Sequence, residues 1–225
     1  MKAQITEVLR STGRDNIENL ITFLDGSDFY TAPASTRHHL AYPGGLAEHT
    51  LNVLNCAIAK NLLYNKPCPQ ESVIIAAIAH DFCKIGMYRE VHEEPTTPQL
   101  NYLKSLMSKA KLVLPSKLNK TYAGVLIDFM LNHYKGDGSI PLYVPNYKIE
   151  DKFPLGHGEK SLYLASLCIK LFPNEALAIR WHMGAFDLNF QSPYQKYPYQ
   201  QAVDTEKLVT IIQIADIEAV NLVEV

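Results

Sequence analysis

The sequence predicts a mainly α-helical fold, and three observations carry that prediction. Apolar residues recur at three- and four-residue spacing through most of the 225 residues, which is the period of helices with one buried face. Glycines and prolines stand where such runs should start or stop. Only 139–153 (SIPLYVPNYKIEDKF) gathers Tyr, Val and Ile around prolines in the manner of a short hairpin or extended loop.

Taken in order, the polar amphipathic start MKAQITEVLRSTGRDN predicts a helix over 3–11, without the apolar core of a signal peptide, and a second follows over 15–25. The turn Pro43-Gly44-Gly45 launches a third over 45–64, with Leu46, His49, Val53 and Ala57 on one stripe. The apolar run VIIAAIA (73–79) predicts a fourth over 70–83 that must stop by Gly86. Helices over 99–112 and 121–133 fall in a segment, 95–127, with five lysines (Lys104, Lys109, Lys111, Lys117, Lys120) and no acidic residue. That segment reads either as a solvated helical hairpin or as a basic flap over substrate phosphates. His157, Leu164, Cys168 and Leu171 align along a helix over 158–171. Ala178 and His182 share a face of one over 174–184, ended by Gly184. Residues 186–203, rich in Tyr, Gln and Pro, read as a surface loop beside the site, and Asp204 as N-cap of a last helix over 204–221.

Composition narrows the class. Apolar content of 47% with 20% charged residues is that of a globular chain, and 225 residues fit one domain over 1–225, or one domain with an insertion. A net charge of −2 exerts no overall pull on nucleic acid or anionic lipid, and the apolar runs are too short to span a membrane. Cys56, Cys68, Cys83 and Cys168 lack paired spacing and read as reduced thiols of a cytoplasmic protein.

The informative anomaly is His80-Asp81 at the end of the greasiest helix. An unpaired buried carboxylate costs several kcal/mol. His49, His157, His182 and Asp216 also fall on inward faces, Asp216 in the middle of the stripe Val209, Ile212, Ala219. Each alone reads more readily as a satisfied core polar group. Six separate burials need six compensations, whereas one cluster around divalent metal satisfies all together. Imidazole and carboxylate donors suit Mn, Fe, Co, Ni or Zn, or Mg where carboxylates dominate.

The order His49 … His80-Asp81 … His157 … His182 … Asp216 resembles the HD-domain metal-dependent phosphohydrolase superfamily. Gly44-Gly45-Leu46-Ala47-Glu48-His49-Thr50 is similar to the first-histidine motif of that superfamily, including the HD domain of bacterial 3′–5′ exoribonucleases. His80-Asp81-Phe82-Cys83-Lys84 resembles its HD-x-x-K form, and 153–161 and 179–184 resemble strings of a bacterial and phage subgroup. The resemblance implies an HD-type helical bundle and one or two divalent ions. Set against it, the chain carries an inserted helical segment at about 90–140 where that subgroup is expected to have a short connection. The first ion would be held by His49, His80, Asp81 and Asp216, the second by His157 and His182 with Asp81 bridging. It implies hydrolysis of a nucleotide or related small phosphoester, cyclic nucleotides included, by metal-activated water, with Asp81 and Lys84 catalytic.

Lys160 and Arg180 are further candidates for binding substrate phosphate, although Arg180 equally suits a structural pair with Glu159 or Asp187. Trp181 reads as core packing. His38-His39 line the site mouth or sit on a loop, His92 reads as solvated, and His133 complements a helix C-terminus. Two alternatives stand beside the phosphoester hydrolase: a nuclease using the lysine-rich segment, for which no nucleic-acid-binding domain is recognisable, and a non-catalytic nucleotide-sensing scaffold.

Overall fold

The computed structural model describes residues 1–187 and 193–224, which form ten α-helices, one two-stranded ladder and short 3-10 and π turns. The helices are α1 Lys2–Ser11, α2 Ile17–Gly26, α3 Gly45–Leu63, α4 Gln70–Ala79, α5 Thr97–Lys109, α6 Lys120–Asn132, α7 His157–Ser166, α8 Pro173–Trp181, α9 Pro193–Thr205 and α10 Lys207–Glu218. The mainly α expectation holds. None of these helices is long and apolar enough to cross a membrane.

α4 is the axis of the bundle. Every residue from Ser72 to Ala79 is buried, as expected for a helix apolar all round. α3, α8 and α1 pack around it, and α10 closes the bundle against α3 and α8. Each Ile or Val of α4 removed from water contributes roughly 1.5–3 kcal/mol, so the axis is fixed before any polar group is placed. α3 begins where the sequence requires: Gly44 has φ +87°, and a Cβ on Gly45 would lie 2.0 Å from the Leu40 carbonyl oxygen.

The extended stretch near 139–153 does not form a hairpin with itself. Its strand β2, Tyr147–Ile149, pairs antiparallel with β1, Tyr88–Glu90, in the register Tyr88↔Ile149 and Glu90↔Tyr147. The two strands form a neck, and the lysine-rich segment emerges from it as a helical hairpin. α5 and α6 pack on each other around a small core of Leu103, Met107, Tyr122, Ala123 and Leu126. Side-chain caps set both starts: Thr96 and Gln99 make a reciprocal capping box on α5, and Asn119 accepts from the Tyr122 N–H on α6.

The end of the chain differs from expectation. Residues 193–205 form α9 rather than loop, although 188–192 of that stretch lie outside the described residues. The Tyr- and Gln-rich composition hides a short apolar stripe at helical spacing. Ala202 is buried, Tyr199 and Val203 pack on the core, and the Tyr199 ring meets that of Trp181 at 5.7 Å. Asp204 therefore lies inside α9, accepting from Gln200, and Glu206 precedes the last helix without capping it through its side chain.

One buried ion pair ties the N-terminal helices to the bundle. Glu175, fully buried in the first turn of α8, accepts from the Arg14 guanidinium, from the Ser72 hydroxyl at 2.8 Å and from the Phe172 N–H at 2.9 Å. Arg14→Ala would strand that carboxylate. It should lower the unfolding free energy in denaturant by about 3 kcal/mol, and a loss below about 1 kcal/mol would show the pair to be dispensable.

Candidate metal centre

Several helices end before their sequence pattern does, and the early ends of α4 and α8 build the site. The sequence pattern carries the fourth helix to 83 and the eighth to 184, but α4 stops at Ala79 and α8 at Trp181. In each case the next residue is a histidine whose ring turns back on its own helix. His80 Nδ1 donates to the Ala77 carbonyl and His182 Nδ1 to the Ile179 carbonyl, both at 2.7 Å. These rings satisfy carbonyls that a helix end leaves without partners. The same bonds fix the tautomer in the neutral rings, leaving Nε2 of both as a lone pair aimed inward.

What those lone pairs face is Asp81, whose side chain is only 4% exposed. Its Oδ2 lies 3.4 Å from His49 Nε2, 3.6 Å from His80 Nε2 and 2.6 Å from the Lys84 ammonium. Its Oδ1 lies 2.8 Å from His157 Nε2 and 3.7 Å from His182 Nε2. Asp216, from the middle of α10, reaches His49 Nε2 at 3.2 Å. The six residues singled out from sequence as metal donors thus converge, and they fall into two groups with donor atoms within 4.8 Å of each other: His49, His80 and Asp216, and Asp81, His157 and His182. Buried His and Asp groups here could hold a metal ion. The donor chemistry fits one, because His182 Nε2 is buried with no hydrogen-bond partner among the described residues and His80 Nε2 stands 3.3 Å from His49 Nε2.

Gly158 lets α7 reach this point. A Cβ there would lie 2.0 Å from the Arg180 carbonyl oxygen, so its absence allows α7 to pack on α8 and bring the His157 and His182 rings to 5.2 Å.

Without metal, the charges balance through protons. Burial works against a charge on His49, but hydrogen bonds to Asp216 and Glu224 and the charge of Asp81 outweigh it and push the imidazole up to about 9. Burial dominates for His80, completely enclosed, and lowers it to about 4 despite the neighbouring Asp81. For both carboxylates burial favours the neutral acid. The Lys84 ammonium and the histidines nonetheless hold Asp81 well below its ordinary value, and the bond from His49 takes Asp216 down to about 2.

The remaining candidates divide. Lys84, almost buried, faces Asp81 and lines a cavity of about 260 Å³ together with His39, His49, His157 and His182. Met183, Phe186, Ile217 and Val220 form the apolar side of that cavity. Lys160 instead makes a buried pair with Asp151 at 2.6 Å. Arg180 is held by Glu159 at 2.5 Å and Asp187 at 2.9 Å and lies over the Trp181 ring. Neither lines the cavity, so their placement is that of structural ion pairs. No residue of 95–127 lines it either, among the described residues; Lys117 pairs with Glu90 and covers Tyr143. His92 is exposed, as expected, and His133, also exposed, stands at the C-terminal end of α6.

Three residues at the site were absent from the sequence-derived set. Cys83, free and buried, places Sγ 3.2 Å from His157 Nε2; its place two residues after Asp81 was the available signal. His39 turns out to line the cavity while His38 points to solvent. Glu224 contacts His49, and its spacing of two turns beyond Asp216 was legible.

No protein family, curated protein or solved structure compared with this chain matches it.

The two histidines set opposite pH limbs for the metal-free protein. His80, near 4 when folded against 6.5 when unfolded, loses stability as pH falls between those values, because only the unfolded chain takes the proton. His49, near 9 when folded, loses its contribution as pH rises from 6.5 toward 9. Urea unfolding of chelator-treated protein should show a maximum near pH 6.5, with each limb falling by up to about 1.4 kcal/mol per pH unit. A profile flat from about pH 5 to 8 would remove this assignment of charge.

Proposed function

We propose that this chain is a metal-dependent phosphohydrolase acting on a small phosphoester, with a nucleotide, cyclic or linear, as the expected class. The observation that carries the reading is the surrounding of one buried carboxylate, Asp81, by His49, His80, His157, His182 and Lys84. The order of these residues along the chain, which resembles the HD-domain superfamily, supports the same chemistry.

His49, His80, Asp81 and Asp216 would hold one divalent ion, and His157 and His182 with Asp81 a second. Such ions, when bound, make water nucleophilic at neutral pH and neutralise charge on the phosphoryl group. The protein supplies the rest. Asp81 orients what binds at both of its oxygens, because the rings of His80 and His182 are pinned to helix-end carbonyls and cannot swing away. Lys84 keeps an ammonium at the cavity wall, where it can meet a phosphoryl oxygen. The apolar lining, Met183, Phe186, Ile217 and Val220, offers a surface for the non-phosphate part of the substrate.

Purified protein should contain bound transition metal and hydrolyse members of a panel of nucleoside phosphates, cyclic nucleotides and short RNA or DNA supplied with Mn, Mg, Fe, Co, Ni or Zn. Asp81→Asn should cut turnover by about a thousandfold or more and strip metal, and Lys84→Ala by about a hundredfold with metal retained. Zero metal content with no hydrolysis across the panel would sink the reading. Preferential cleavage of RNA, lost in Lys104→Ala/Lys109→Ala/Lys111→Ala and steeply salt-dependent, would turn it into a nuclease.

A further inference from the structure

His49 differs from the other two buried histidines in where it sits. His80 and His182 follow helix ends, where free carbonyls are at hand to orient their rings. His49 lies inside α3, where the helix already uses the backbone carbonyls around it. Its orientation has to come from a side chain elsewhere in the fold.

That side chain is Glu224. After α10 the chain makes a π-helical turn, Ala219–Val223, closed by a bond from the Glu224 N–H to the Ala219 carbonyl at 3.0 Å. The wider turn returns Glu224 to α3. There its Oε1 lies 2.9 Å from His49 Nδ1 and accepts from the Asn52 side chain at 3.0 Å. The Glu224 carboxylate is fully buried, and its Oε2 has no hydrogen-bond partner among the described residues. Enclosing a carboxylate so incompletely satisfied is unfavourable for stability alone.

We propose that Glu224 is a positioning residue for His49: it accepts the Nδ1 proton and fixes the ring so that Nε2 is presented toward Asp81 and Asp216 as an electron-pair donor to a divalent cation. The inference rests on the metal-centre reading above. A carboxylate partner raises the basicity of an imidazole donor more than a carbonyl does, so His49 is a stronger nitrogen donor than His80 or His182. Two of the three buried histidines are oriented by backbone and one by Glu224, and only the last can be altered by substitution.

The test is titration of chelator-treated protein with Co²⁺, followed by the ion's ligand-field absorption, for the wild type, Glu224→Gln and Glu224→Leu. Glu224→Leu should weaken binding by about 10- to 100-fold and change the spectrum. Glu224→Gln, whose amide oxygen still accepts the Nδ1 proton, should recover part of the affinity and the wild-type spectrum. The metal-free unfolding temperature should fall in Glu224→Leu, because His49 Nδ1 and the Asn52 amide lose a buried acceptor, and fall less in Glu224→Gln, so affinity and spectrum are compared at a temperature where each variant is folded. Variants that bind cobalt as tightly as the wild type, with the same spectrum, would overturn the positioning role and leave the metal centre standing. Should Glu224→Leu not fold, Glu224→Gln decides alone: affinity equal to wild type overturns the role. A wild type that binds no cobalt overturns both.

Discussion

Placing the carboxylate of Asp81 at the end of an apolar helix, almost out of reach of water, costs several kcal/mol unless positive charge or hydrogen-bond donors surround it. Much of the architecture follows from meeting that demand. α4 carries Asp81 into the centre because Ser72–Ala79 leave no face for solvent. α3, α7, α8 and α10 then each deliver a polar side chain to the same point: His49, His157, His182 and Asp216. His80 and Lys84 come from the same stretch of chain as the carboxylate, His80 directly before it and Lys84 one 3-10 turn beyond.

The positive charge near Asp81 is of two kinds. Lys84 is permanent, whereas the proton on His49 is exchangeable and sits where a divalent ion would compete for the same lone pair. This explains how a site with so many costly groups can fold before it binds anything. The bundle supplies apolar burial, the protonated imidazole balances the carboxylates, and the ordered Nε2 atoms wait in place. The helical hairpin α5–α6 contributes none of these groups, and its own small core and the β1–β2 neck let it vary independently of the centre.

The helices on apolar stripes were readable because three- and four-residue spacing survives in sequence, and so was the convergence of the six candidate donors. The ends of α4 and α8 were not. Periodicity carries each through its histidine, and only the ring bonds from His80 to Ala77 and from His182 to Ile179 show why the helix stops there. α9 was misread as loop because its buried stripe, Tyr199, Ala202 and Val203, is too short to stand out among Tyr and Gln. The strand at Tyr147–Ile149 was visible, but its partner lies across the whole helical hairpin, and pairing at that distance leaves no local signal. Lys160 and Arg180 looked like phosphate ligands by charge alone; Asp151, Glu159 and Asp187, brought near by folding, take that charge instead.

The central claim is that Asp81 is a buried anion built to be shared by metal. Anomalous diffraction from crystals soaked in Mn²⁺ tests it most directly. A metal held there gives a peak at about 2.0–2.3 Å from an Asp81 oxygen, with His49, His80 and Asp216 completing its surroundings. Crystals that diffract with the bundle intact and show no anomalous peak within bonding reach of Asp81 would contradict it.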